Sequence, residues 1–314
     1  MEADGHGLDA GNGDAVSKRG QIQMHLATLK DIGGIMGAMK NISLMETHKL
    51  ARFLAHQHRV LAGIEATAAD FLAHHPDSGY GADAGAPSIV VALGSQRGFC
   101  GDFNESLVQA LHRHWRETAD HPTDVLVVGR RLAARLGREP RITATFDGPS
   151  VAEEVPPVLQ RLMDALSKLP PRGGEQGLPR VSIFAHREGE TQVGVRSLLP
   201  APNPDHTATR FTYPPLLSLS APAFFTELAH HYLWAQMHDV FYSSLMAENH
   251  RRLQHMEGAM QRMDDNASEL QRKYNLLRQE EITEEIEVIM LSNEALQRSR
   301  RIRENRASGT RTDA

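Results

Sequence analysis

The stretch with the strongest claim to chemistry is Gly94-Ser95-Gln96-Arg97-Gly98-Phe99-Cys100-Gly101-Asp102-Phe103-Asn104, which follows a short apolar run and precedes a helical pattern. A glycine-rich loop between strand and helix can cradle a phosphate on its backbone N–H groups. The spacing argues against that use. There is no G-x-G-x-x-G, no Lys-Ser/Thr after a G-x-x-x-x-G, and no acidic residue closing a second strand to hold a ribose. The loop reads as a tight turn that needs small residues, with nucleotide binding as the competing reading. Cys100 is the sole cysteine, which excludes an intrachain disulfide and fits a reducing compartment. It has no histidine nearby in sequence to activate it. The 17 histidines are scattered. His56/His58 and His230/His231 are too close along a helix for the i, i+4 pair of a zinc site, and His121 and His186 stand alone. No G-x-S-x-G occurs. No catalytic residue, cofactor or metal ligand is expected.

The elements that must position this loop are set by the prolines. All 16 lie between Pro76 and Pro222, and long helices exclude proline because it removes a donor and clashes with the preceding turn. The chain divides into a proline-free N-terminal arm, a proline-bearing middle and a proline-free C-terminal arm. In the C-terminal arm, Ser220 and Pro222 suit a cap and first turn, and Gly258 is the only glycine before Ser308. Leu253, Met256, Met260, Met263, Ala267, Leu270, Tyr274 and Leu277 keep a 3-4 spacing, the seam of a left-handed coiled coil. The seam then meets Glu281, and the apolar set restarts at Ile282, Ile286 and Ile289. This slip in phase means that the last turns face something different. The N-terminal arm repeats the pattern with Leu29, Ile32, Met36 and Met39, then Leu50, Phe53, Val60, Ile64 and Phe71, with Gln57 and Thr67 between them. Gly33, Gly34 and Gly37 each weaken that helix by roughly 1 kcal/mol relative to Ala. Helices over residues 21–74 and 222–301 would be ~80 and ~120 Å long. Neither can bury its seam alone, so the two are expected to pair antiparallel.

Residues 88–200 read as α/β. Strands are expected at Ser88–Leu93, Asp124–Val128, Val181–Ala185 and Gln192–Leu198, and helices at Phe103–Trp115, Gly129–Leu136 and Val151–Leu169. The stretch Pro200–Pro222 reads as an extended connector. The expected fold is a long antiparallel coiled coil of terminal helices plus a central Rossmann-like α/β domain with a mostly parallel sheet. Its divisions are a disordered tail at 1–20, shaft helices at 21–75 and 222–302, an α/β foot at 76–221 and a second tail at 303–314. Aromatics are only 5% and charged residues 23% of the 314, which suits exposed helical surface better than one compact enzyme core. A net charge of −5 gives no basic footprint for nucleic acid. No run of about 18 apolar residues could span a membrane, and Met1–Gly20 lacks the apolar segment of a signal peptide.

The order helix, α/β domain, helix is similar to the γ subunit of F-type ATP synthases, and four segments carry the resemblance. Gly98-Phe99-Cys100-Gly101-Asp102-Phe103-Asn104 resembles the family's G-L-C-G-G-F-N turn, so Gly98, Cys100, Gly101, Phe103 and Asn104 are expected as its structural residues. Asp265–Leu270 resembles D-N-A-S-E-L, and Tyr274–Ile286 resembles Y-N-x-x-R-Q-x-x-I-T-x-E-I. Ile35–Lys40 resembles I-T-K-A-M-K. The resemblance implies one copy per complex of a rotor shaft without a catalytic site or cofactor. It implies contact with the α and β subunits of a catalytic head, the ε subunit and the membrane c-ring. It also implies a peripheral place on the cytoplasmic side of the inner membrane in a proton- or sodium-translocating complex. Met39, Arg278, Gln279 and Thr283 fall on positions that face the head. The chain departs from the family at Gly34 and Gly37, at Ile42–Lys49 where V-A-A-S-K-M-R-K is usual, and at Leu291 and Ser292 where glycines are usual. It also adds Arg298, Arg300, Arg301, Arg303 and Arg306. These departures point to a divergent member from an alternative bacterial F-type ATPase. Two other readings stand beside this one: a structural coiled-coil adaptor with an α/β head, and a nucleotide-dependent enzyme built on residues 88–200.

Overall fold

The computed structural model describes residues 9–76, 88–118, 123–168, 180–187, 189, 192–199 and 213–309. Most of the expected connector, residues 200–212, and the chain's first 8 and last 5 residues lie outside that set. The elements run α1 (Asp9–His74), β1 (Ser88–Leu93), α2 (Phe103–Glu117), β2 (Thr123–Val128), α3 (Arg130–Leu136) and β3 (Ile142–Phe146). A 3-10 turn (Ala152–Glu154) leads into α4 (Val155–Lys168), followed by β4 (Arg180–Ala185), β5 (Gly194–Leu199) and α5 (Ala221–Gly309). The chain forms two compact units, one from residues 1–38 with 258–314, the other from residues 39–257.

In the second unit the five strands are ordered β3-β2-β1-β4-β5. Strands β1 to β4 pair in parallel, and β5 pairs antiparallel to β4, so the sheet is mixed. Alternate residues of each strand face opposite sides. Ile89, Val91 and Leu93 lie in a core with α4, with Leu50 and Leu54 of α1, and with Met237, Phe241 and Leu245 of α5. Val90 and Ala92 lie in a second core with Phe103, Leu107, Leu111 and Trp115 of α2 and Leu132 of α3. The terminal helices are thus not appended to the α/β domain; their inner turns complete one face of its sheet. Lys49 of α1 reinforces the join, donating to Glu153 at 2.9 and 2.7 Å, while Glu46 accepts from the Ala152 amide at 2.6 Å. Strand β3 was not expected from the sequence. Its Ile-Thr-Ala-Thr-Phe alternates half-buried with exposed residues, as an edge strand does, and offers no continuous apolar run.

The helix pairing is antiparallel in each unit. In the second, Lys40 meets Glu257 at 2.8 Å, Phe53 stacks on Tyr242, and Phe71 packs on Phe224. In the first, Arg19 meets Glu281 at 2.9 Å, and a Cβ added at Gly33 would stand 3.8 Å from the Met263 methyl. Residue numbers rise on one helix as they fall on the other. The seam of α5 lies where its spacing put it: from Leu253 to Leu277 all eight residues are buried or half-buried. The seam of α1 does so only in part, with Met39 and Gln57 half-buried as expected. It runs through Leu29, Gly33 and Met36, then Leu50, Leu54, Leu61, Ile64 and Phe71, leaving Ile32, Phe53 and Val60 at 43%, 39% and 53% exposed and Thr67 also exposed. An apolarity pattern cannot see a glycine in a seam, so Ile32 took the place of Gly33, and where two apolar residues adjoin, as at Phe53-Leu54 and Val60-Leu61, it does not separate the inward one from its neighbour. Helix α1 also begins at Asp9 instead of Gln21. Near that end, the Arg19 ion pair ties the first described side chains to α5.

The corrected seam makes a direct prediction. Leu54→Ala should cost about 2–5 kcal/mol of unfolding free energy, whereas Val60→Ala should change it by no more than about 0.5 kcal/mol. Equal losses in denaturant melts of the two variants would show that the seam is misplaced.

Candidate functional site

The glycine turn forms because two strands and a helix approach at glycines. A Cβ on Gly94 would lie 2.1 Å from the Leu132 Cβ, and one on Gly129 would lie 2.4 Å from the Gly94 carbonyl oxygen. Gly129 also has φ +106, a conformation that side chains resist. The turn is then stapled by its own polar residues. The Ser95 amide donates to Asn104 Oδ1 at 2.9 Å, Asn104 Nδ2 donates to Ser95 Oγ at 2.7 Å, and Ser95 Oγ donates to the Arg97 carbonyl at 2.9 Å. Cys100 Sγ donates to Ser95 Oγ at 3.3 Å. Phe103 is fully buried, and Gly101 takes φ +60 beside His255 of α5. The expected turn residues are therefore brought together, as a packing unit. At the tip, Phe99 adopts φ 62 and is 52% exposed.

In an open parallel sheet, ligands bind beyond the strand carboxyl ends where the strand order reverses. Here that reversal lies between β1 and β4, and the chain itself occupies the neighbouring helix starts. Gln96 Oε1 accepts from the Arg130 amide at 3.1 Å and the Gly148 amide at 2.9 Å, capping the N-terminus of α3. The carboxylate of Asp102 sits at the N-terminus of α2, where an anionic ligand would be repelled. His186 is buried, with Nε2 at 2.9 Å from both Ser106 Oγ and the Phe103 carbonyl. Burial holds its pKa below the usual range, which keeps it neutral. Burial likewise pushes the Cys100 thiol up, against the Ser95 hydrogen bond, so it is no thiolate nucleophile.

A grip on the turn from α5 was missing from the sequence reading. Arg252 is buried; its Nε donates to the Gly98 carbonyl at 3.2 Å, its Nη1 to Asn249 Oδ1 at 3.0 Å, and its Nη2 to Glu248. Arg251 pairs with Asp102. The signal was present as Glu248, Asn249 and Arg252 on a helix face flanked by Leu245 and Leu253, an i, i+4 ion pair where apolar residues are expected. Beside this grip a cavity of about 30 Å³, lined by Met39, Glu46, Arg97 and Arg252 among others, has room for a single water.

Of the four expected head-facing residues, one belongs to the second unit and three to the first. Met39 is half-buried at that cavity in the second unit. Arg278, Gln279 and Thr283 are exposed on α5 in the first unit, Thr283 Oγ1 donating to the Gln279 carbonyl at 2.9 Å. Next to them the seam ends. Glu281 is 7% exposed against Arg19, and every residue from Ile282 to Ile302 is exposed. That run carries Ile282, Ile286, Ile289, Leu291 and Leu296 at 45%, 52%, 65%, 62% and 66% exposure. Arg298, Arg300 and Arg301 are exposed as well, while the side chains of Arg303 and Arg306 lie outside the described set.

Comparison with known proteins gives three findings. The family model for ATP synthase matches residues 19–296. The ATP synthase gamma chain of Clostridium beijerinckii is 26% identical over 208 residues, covering 64% of this chain and 70% of that one. Two solved chains of the Euglena gracilis mitochondrial ATP synthase share the fold. One, from the OSCP/F1/c-ring in rotational state 3, has a TM-score of 0.58 at 13% identity, covering 90% of this chain and 96% of its own. The other, from the rotor in rotational state 1, has a TM-score of 0.55 at 12% identity, covering 85% and 99%.

The Glu248–Arg252 pair sets a pH-dependent expectation. Burial raises the Glu248 carboxyl to about 7 in spite of the arginine, above the ~4.3 of an unfolded glutamate. The folded state therefore holds that proton more tightly, and the resulting stabilisation is full below about pH 4.3 and lost as pH rises through 7. Relative to Glu248→Gln, the wild type should lose a few kcal/mol between pH 4.5 and 7.5. Urea melts of both proteins at those pH values check it; parallel pH profiles would refute the assignment. Arg252→Ala, which strands the carboxylate, should cost about 3–5 kcal/mol near pH 8.

Proposed function

The chain belongs to the ATP synthase family as a γ subunit of the central stalk, and from that premise we propose that it is a non-catalytic rotor coupling ion flow to nucleotide chemistry elsewhere. One observation carries the proposal: the α1–α5 seam closes at Glu281, and beyond it α5 presents an all-round exposed surface rich in isoleucine and leucine. An exposed helical surface of that composition needs a sleeve. The α and β subunits of a catalytic head supply one, with Met39, Arg278, Gln279 and Thr283 touching their inner loops. The α/β domain, residues 76–221, is the foot that meets the ε subunit and the membrane c-ring, and residues 21–75 and 222–302 form the shaft. The filled crevice at the strand ends supports a role without catalysis, since the loop that could hold a nucleotide is occupied by Gln96, Asn104 and His186.

The mechanism follows from asymmetry. A single shaft within a ring of similar sites contacts each one differently, and only such differential contacts can shift one site's affinity relative to the next. Exposed ion pairs on the shaft, such as Lys273–Glu269 at 2.7 Å, are worth ~0–1 kcal/mol each and can be exchanged as it turns. No described helix is long and apolar enough to cross a membrane. Attachment at the cytoplasmic face of the inner membrane would come through the ring. The sparse positive charge along Ile42–Lys49 is offset by the arginines after Leu296, in keeping with an alternative bacterial complex.

The tagged chain should co-purify with several copies of each large ATPase subunit. An adaptor would not, and tight nucleotide binding by the free chain would favour an enzyme. Combining Ile286→Asp and Ile289→Asp should lower coupled ATPase activity roughly tenfold or more without altering the melting temperature, because both side chains are exposed. Truncation after Leu296 should weaken coupling; full coupling in the truncated complex would sink the compensating role of the arginines.

A further inference from the structure

Strand β5 is one edge of the sheet, paired among the described strands with β4 alone, and Arg196 at its centre reaches out of the sheet to α5. Arg196 Nη1 donates to Gln236 Oε1 at 2.6 Å and to Asp239 Oδ2 at 3.1 Å. Both acceptors are almost fully buried, Gln236 at 5% and Asp239 at 3% exposure. Gln236 is itself oriented, its Nε2 donating to Tyr232 Oη at 2.9 Å. The second oxygen of Asp239 lies 3.0 Å from His58 Nε2 on α1, within ion-pair distance though off the hydrogen-bond line. Next to His58, Gln57 Nε2 donates to the Ala235 carbonyl at 2.8 Å. One polar knot thus joins an edge strand and both long helices within a single compact unit.

We propose that Arg196 is a positioning residue for torque transfer, locking the sheet of the foot to α5 through Gln236 and Asp239. The proposal rests on the rotor reading. Around the knot, Met237, Val240 and Phe241 hold α5 to the sheet by apolar contact. Such contact resists separation, but it is non-directional and resists sliding weakly. Charge-assisted hydrogen bonds from a planar guanidinium are directional and fix the rotation of one element against another. Slippage here would leave the buried Asp239 carboxylate without its arginine, an expensive state. Exposed pairs such as Lys40–Glu257 offer no comparable penalty.

The test uses the complete complex in inverted membrane vesicles, measuring ATP hydrolysis together with ATP-driven membrane potential by a voltage-sensitive dye. If the wild-type chain fails to couple the two, the rotor reading fails irrespective of Arg196. Given a coupled wild type, Arg196→Met should hydrolyse ATP at the normal rate yet build several-fold less potential per ATP consumed. Asp239→Asn, which keeps the side-chain volume, should lower the same ratio at normal assembly, and Arg196→Lys should restore part of it. Wild-type coupling ratios in Arg196→Met and Asp239→Asn overturn the proposal. So does failure of both variants to assemble, which would make the knot a folding requirement only.

Discussion

An amphipathic helix needs cover for its apolar stripe, and the architecture of this chain follows from the two terminal helices covering one another. The helices are long because proline is absent from both arms, and they pair antiparallel because their stripes are complementary in direction and spacing. The α/β domain depends on that pairing as well. Leu50 and Leu54 of α1 and Met237, Phe241 and Leu245 of α5 belong to the same apolar cluster as one face of the sheet. Without the helix pair, α4 alone would be left to cover that face.

The same dependence explains the turn after β1. Its glycines at 94 and 129 let two strand ends and α3 approach more closely than side chains would permit. That closeness leaves carbonyls and amides that need partners, and the chain supplies them from within through Gln96, Asn104 and Arg252. A sheet topology that elsewhere receives a ligand at its strand ends has here closed over its own loop. The large apolar residue it leaves exposed is Phe99, held at a positive φ on the tip.

Legibility from sequence tracked the strength of local periodicity. The seam of α5 could be read residue by residue because methionine, leucine, alanine and tyrosine mark every position from Leu253 to Leu277. The α1 seam passes through Gly33, Ser43 and Thr47, which carry no apolar signal, and at Phe53-Leu54 and Val60-Leu61 two apolar residues adjoin, so its phase was misassigned by one residue at several turns. Strand β3 was hidden by its alternation and brevity. Helix α2 and strands β1, β2 and β4, each with a strong apolar face, fell within a residue or two of expectation. The glycine turn was legible as a turn, and its polar residues are found bonded to one another. Its grip by Arg252 was not legible. A buried charge on a long helix looks the same in sequence as a solvated one until its partners arrive from elements over a hundred residues away.

The exposed run from Ile282 to Ile302 has a consequence for the cell that makes this chain. A subunit with that much uncovered isoleucine and leucine is a substrate for chaperones and proteases for as long as it is alone. Under the proposed rotor role its lifetime would be set by how quickly it finds its sleeve, and any excess over the available sleeves would be removed. In the proposed complex, assembly would cover that surface and so remove the exposure on which such triage acts.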